Sequence, residues 1–127
     1  MLRCVFVAAV ALATALPATA QSVQRNFPQN ALRGEITFGA PPEILLNGQN
    51  ARLAPGARIR GLNNMLVLTG ALAGSKAVVN YTVEINGLVL DVWILTAAEM
   101  AKKPWPATPQ EAQSWRFDPL AQVWSKP

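Results

Sequence analysis

The sequence predicts a small antiparallel all-β domain, a barrel or sandwich of SH3-like or OB-like type with about six to seven short strands and short helices near the C-terminus. Three observations carry that class. Short apolar segments are punctuated by Gly, Pro and Asn every several residues, the spacing of strands that turn back on one another. Two Asn-Gly pairs, Asn47 with Gly48 and Asn86 with Gly87, each lie between apolar runs. Both positions of a type I′ hairpin loop need positive φ, which Asn and Gly accept most cheaply. Residues 76–96, KAVVNYTVEINGLVLDVWILT, then specify strand, turn and register together.

Counting back from a loop at Asn86 and Gly87 pairs Ile85 with Leu88, Val83 with Leu90, Tyr81 with Val92 and Val79 with Ile94. All are apolar or aromatic, so this face is expected to be buried. The alternate pairs are Glu84 with Val89, Thr82 with Asp91, Asn80 with Trp93 and Val78 with Leu95. That face is mixed and expected to be partly wet. A one-residue slip would turn polar groups into the core, so pattern and turn select the same register.

Taken from its start, the chain opens with Arg3, an apolar run over residues 5–16, and the small residues Ala18 and Ala20 before Gln21. These are the parts of a secretory signal, with cleavage expected after Ala20. The apolar run is well short of the ~20 residues that span a bilayer, so no stable membrane anchor is expected after cleavage. Cys4 precedes the apolar core and not the cleavage point, and it is the only cysteine, so neither a lipid anchor nor a disulfide is expected in the mature chain. Residues 21–32 are polar, contain Pro28, and read as an extended lead-in on which Phe27 could dock.

The barrel domain is expected over residues 33–96. Residues 33–39, RGEITFG, alternate as a half-buried strand. The hairpin around Asn47 and Gly48 pairs Leu46 with Gln49, Leu45 with Asn50, Ile44 with Ala51 and Glu43 with Arg52, the last as an ion pair. Ala54, Pro55, Gly56 and Ala57 match a type II turn. A short strand, ARIR, follows. After the break at residues 61–64, the run MLVLT at 65–69 has no polar face and is expected to be a central strand. Gly70 is expected to mark a bulge or bend.

Residues 97–127 are expected to form short helices and an aromatic tail. Thr96 with Glu99, and Thr108 with Glu111, fit capping boxes. Helices are expected from there through about Lys103, where Pro104 ends the first, and from Pro109 to about Trp115. Trp105, Trp115, Phe117 and Trp124 all follow Pro104. They are expected to pack over an open end or edge of the barrel; the alternative is a recognition segment for a partner.

Composition excludes most catalytic designs. The chain has no histidine, and the mature chain would have no thiol, so His-dependent triads, thiol nucleophiles and common zinc sites cannot be assembled. No cofactor or metal is expected, and the protein is not expected to be an enzyme. The rival is a small carboxylate-dependent hydrolase using Glu84 and Asp91, which share the outer hairpin face in the expected register. A purely structural envelope accessory is a further alternative. The formal charge of +4 falls to +3 with loss of Arg3, but Arg25, Arg33, Arg52, Arg58, Arg60 and Lys76 precede the hairpin against only Glu35 and Glu43. A local basic face of this kind attracts anionic envelope material. The candidate ligand-binding residues are Arg52, Arg58 and Arg60, with Asn80 and Trp93 on the mixed face. The expected partner is an envelope protein or an anionic polymer; export argues against nucleic acid.

The segments NGQNARLAPGARIRG, NNMLVL and VNYTVEINGLVLDVWILT, with the Trp-containing tail, resemble a group of small exported proteins of Gram-negative bacteria that carry no assigned activity. The resemblance spans most of the mature chain and implies a periplasmic setting; it supplies no functional residues.

Overall fold

A computed structural model describes residues 24–127; the expected signal, its expected cleavage point and Cys4 lie outside the described residues. Strands β1 (Leu32–Phe38), β2 (Glu43–Leu46), β3 (Gln49–Arg60), β4 (Lys76–Val83) and β5 (Val89–Ile94) close into a barrel of order β1-β2-β3-β5-β4. The first three form an antiparallel meander, β4 and β5 a hairpin, and β4 closes on β1. The pair β3–β5 is parallel. A five-stranded Greek-key barrel in which the third strand lies beside the fifth is the OB-like solution and not the SH3-like one.

Inward-facing residues of every strand fill the interior, by alternation except in β5, where Val89 and Val92 stand three apart across a register shift. Ile36 and Phe38, Ile44, Leu53 and Ile59, Val79 and Tyr81, and Val89 and Val92 are buried in one cluster with Leu32. Full burial of such a side chain stabilises by about 1.5–3 kcal/mol. The first hairpin forms in the expected register, with Asn47 at φ 53° and Gly48 at φ 81°. Pro55 and Gly56 do not end a strand as expected. β3 runs through them, with a register break between Leu53 and Arg58 and Gly56 at φ 78°. Proline has no ladder donor and glycine accepts the left-handed conformation, so together they bend β3 away from β2 and onto β5.

The long hairpin keeps the expected pairs Val79–Ile94, Asn80–Trp93 and Tyr81–Val92, then shifts so that Val83 opposes Val89. Only Gly87 has positive φ, at 83°. Its N–H donates to the Glu84 carbonyl at 2.9 Å, and the Glu84 N–H donates to Leu88 O at 2.8 Å. Residues 85–87 thus form the loop in place of the two-residue type I′ turn. The Glu84 carboxylate stabilises it by accepting from the backbone N–H groups of Asn86 at 2.8 Å and Leu88 at 3.1 Å. Ile85 is therefore 99% exposed, and Val89 takes the core position expected of Leu90. Gly87→Val forces a β-branched residue into the left-handed region and is expected to cost about 1–3 kcal/mol in a urea melt; an unchanged midpoint would mean the loop can relax to another turn.

The run MLVLT is not a central strand. Only Leu66 bridges to the barrel, opposite Arg60, because β5 occupies the position beside β3 that a central strand would need. Gly70 lies in a 3₁₀ turn at Thr69–Leu72, whose Leu72 packs on the core.

A second cluster lies outside the barrel. Phe27, Ala31, Leu95, Trp105 and Trp124 are buried against Val78 and Trp93. The hairpin face expected to be partly wet is thus covered, and the lead-in is docked, with Arg25 and Phe27 buried. The capping box at Thr96 and Glu99 opens α1 (Ala97–Met100), shorter than expected. Thr108 caps α2 (Pro109–Ser114). The tail then forms an antiparallel pair, β6 (Arg116–Asp118) and β7 (Val123–Ser125). The short helices persist because the tail packs, since isolated helices of this length do not.

Candidate functional site

Outward-facing residues on four strands make one transverse row: Arg33 of β1 beside Asn80 of β4, then Trp93 of β5, then Arg60 of β3. The lead-in and tail cover most of that row. Asn80 is fully buried, and its Oδ1 accepts from Arg33 Nε at 3.2 Å, so it belongs to the packed interior and not to an open binding face. Its Nδ2 has no hydrogen-bond partner. Trp93 is half-buried, with Phe27 edge-on at 5.5 Å, and serves to dock the lead-in. Arg33 lies over Trp105 at 5.0 Å and donates to the carbonyls of Glu99 at 3.1 Å and Lys102 at 2.7 Å. The guanidinium therefore satisfies carbonyls at the end of α1. Burial lowers the Arg33 pKa, and the Glu99 charge offsets that in part.

The three candidate arginines all face outward from β3, Arg52 before and Arg58 and Arg60 after the bend at Pro55 and Gly56. Arg58 and Arg60 flank the buried Ile59, and Arg52 precedes the buried Leu53. Arg52 pairs with Glu43 at 2.9 Å, both side chains more than half exposed. Arg58 pairs with Asp91 at 3.3 Å, and Asp91 also accepts from Thr82 Oγ1 at 3.3 Å. Exposed pairs of this kind are worth only about 0.2–1 kcal/mol, so an incoming anion can compete for either arginine. No Asp or Glu lies between Glu43 and Glu84 in the chain, which leaves the surface of β3 and the following loop without other acids of their own.

Arg52 also lines a cleft of about 260 Å³ with Pro42, Leu53, Ala54, Pro55 and Leu88. Pro42 comes from the β1–β2 loop and Leu88 from the β4–β5 loop. Sequence reading missed this cleft, because the two loops are brought together only by barrel closure. A larger groove of about 510 Å³ lies across the molecule, lined by Gln29, Asn30, Leu32, Val83, Pro109, Ala112 and Gln113. It carries no charged group.

The alternative carboxylate pair is engaged elsewhere. Glu84 caps its loop, Asp91 is held by Arg58 and Thr82, and neither lines these clefts. Among the described residues, no three His, Cys, Asp or Glu side chains come together, and no helix is long and apolar enough to cross a membrane. Compared with protein-family models, curated proteins and solved structures, the chain matches none of them.

Proposed function

We propose that the protein is a non-catalytic binding module of the periplasm that holds an anionic envelope polymer along the outer surface of β3. One observation carries this reading: Arg52, Arg58 and Arg60 project from the strand that borders the cleft between the β1–β2 and β4–β5 loops. OB-like barrels take oligonucleotides and oligosaccharides at that place. The charge suits a phosphorylated or carboxylated glycan, and the secretory signal over residues 1–20 puts such polymers within reach.

The test is binding of the mature chain to purified lipopolysaccharide and to dextran sulfate. Replacing Arg52, Arg58 and Arg60 by Glu together is expected to weaken binding about tenfold or more, and raising salt to about 0.3 M is expected to weaken the wild type in the same direction. Binding indifferent to both changes would remove the electrostatic reading. Charge reversal sets like charges beside Glu43 and Asp91 and is expected to lower the melting temperature. The Arg52→Gln, Arg58→Gln, Arg60→Gln variant therefore serves as the folded control and is expected to lose binding in the same direction.

A further inference from the structure

Between β3 and β4 the chain runs GLNNMLVLTGALAGS over residues 61–75, with no charged residue. Its large apolar side chains are turned outward: Leu62 is 57% exposed, Met65 and Leu66 65%, and Leu68 82%. The segment is built to present them. Gly61 N donates to Met65 O at 2.9 Å, Val67 N to Ile59 O at 2.8 Å, and Asn64 N to Gly61 O at 3.0 Å. Asn63 Oδ1 accepts from Met65 N at 3.1 Å, and Asn64 takes φ 64°. Soluble domains seldom hold a contiguous apolar protrusion in water unless something covers it.

Two neighbouring features identify the cover. Arg60 stands opposite Leu66 across the bridge, with Arg58 two residues earlier on β3. The tip has no acid of its own, and of its two neighbouring arginines Arg58 is paired with Asp91 while Arg60 makes no ion pair among the described residues. An apolar tip beside such a guanidinium complements an anionic bilayer surface, with alkyl side chains entering the acyl boundary and Arg60 meeting lipid phosphates. A second copy of the chain would bring like-charged Arg60 side chains together. The described chain also begins at this end of the molecule, since Arg25 Nη1 donates to Gly61 O at 2.9 Å.

We infer that residues 62–68 form a membrane-docking tip that seats the barrel on an anionic lipid surface. This deepens the electrostatic reading above and rests on it through Arg60 and export, but it uses a different part of the surface. The test is co-sedimentation of the mature chain with vesicles of phosphatidylethanolamine and phosphatidylglycerol, three parts to one, against pure phosphatidylcholine. Binding is expected to the anionic vesicles and to fall about tenfold or more in a Leu66→Asp, Leu68→Asp double variant. Dextran sulfate binding is compared in a neutral Leu66→Ala, Leu68→Ala variant, which adds no acid opposite Arg60, and is expected to stay unchanged there. This milder variant, with its melting temperature measured alongside, also guards against misfolding and is expected to give an intermediate loss of vesicle binding. Absence of wild-type binding to the anionic vesicles, or binding that survives both double variants, overturns the inference. So does a dimer in light scattering that Leu66→Asp, Leu68→Asp dissolves, which would make a second copy the occupant. Vesicle binding without dextran sulfate binding would overturn the polymer reading and leave the docking tip standing.

Discussion

A chain ended at Thr108 is expected to lose its cooperative melt and to aggregate, because the tail closes the second core. Trp124 is 2% exposed, stacks on Phe117 at 4.6 Å and meets Trp105 edge-on at 6.1 Å. Gln122 ties the tail to the lead-in, accepting from Phe27 N at 2.8 Å and donating to Phe27 O at 3.4 Å. Trp→Ala at a buried site costs about 3–5 kcal/mol, against a total of about 5–15 kcal/mol for a domain of this size. The truncation removes that and more, and leaves Phe27, Trp93 and Trp105 facing water. Trp124→Phe is the informative milder change. The indole Nε1 is buried without a hydrogen-bond partner, so the smaller ring loses area but also an unsatisfied donor, and the cost is expected to stay near about 1 kcal/mol. Thermal melts of both variants decide the matter; a truncated chain as stable as the full one would make the tail a separate appendage.

Removal of Arg25 is expected to destabilise the fold as well. Its side chain is 3% exposed and donates from Nε to Glu99 Oε2 at 2.9 Å, from Nη1 to Gly61 O at 2.9 Å, and from Nη2 to Ile94 O at 2.7 Å. One guanidinium thus joins the lead-in, the end of β5, the start of the apolar loop and the first turn of α1. Arg25→Ala leaves the half-buried Glu99 carboxylate with only its bond from Thr96 N at 2.9 Å and strips the Gly61 and Ile94 carbonyls of a donor, at a cost of about 1–3 kcal/mol. Replacing both residues by Met is expected to cost less than Arg25→Ala alone, since no charge is then stranded.

The pair also sets a pH dependence. Burial raises the Glu99 pKa, but hydrogen bonds from Arg25 and Thr96 and the Arg25 charge outweigh it, so the carboxyl lies below its ordinary value of 4.5. A depressed carboxyl stabilises the fold fully above its unfolded value, and that contribution is lost as pH falls through the folded one. Wild-type stability in urea is therefore expected to drop below about pH 4.5 more steeply than that of Glu99→Gln, which carries no titrating group at this position. Parallel curves for the two proteins would show that Glu99 is not linked to folding.

Local chemistry was legible where a signal acts within a few residues. Asn47 and Gly48 determined a hairpin and its register, Thr96 with Glu99 a helix start, and alternation placed Ile36 and Phe38, and Val79 and Tyr81, in the core. At Asn86 the same dipeptide misled, because the Glu84 carboxylate two residues earlier holds a loop with only Gly87 in the left-handed region. The candidate arginines were legible as outward charges, but on two strands divided by a turn at Pro55 and Gly56, whereas one strand, β3, carries all three. The proximity of Arg52 to Pro42 and Leu88 was not, since it needs β5 to pair with β3 so that Val89 lies opposite Leu53.

Apolar spacing together with the Gly, Pro and Asn turn residues determined that this chain has apolar faces to cover, at strand spacing, and where it turns; an all-β class follows from those two signals. Tertiary structure decided what covers each face. Parallel pairing of β5 with β3 left residues 65–68 outside the sheet, so a run as apolar as a core strand stands in solvent beside Arg60. Docking of Phe27, Trp105 and Trp124 dried the outer hairpin face, burying Asn80 in a place that alternation had assigned to water. The physical reason is that apolar area favours removal from water without specifying a partner, whereas strand closure and side-chain packing select one partner among the surfaces that the whole chain presents.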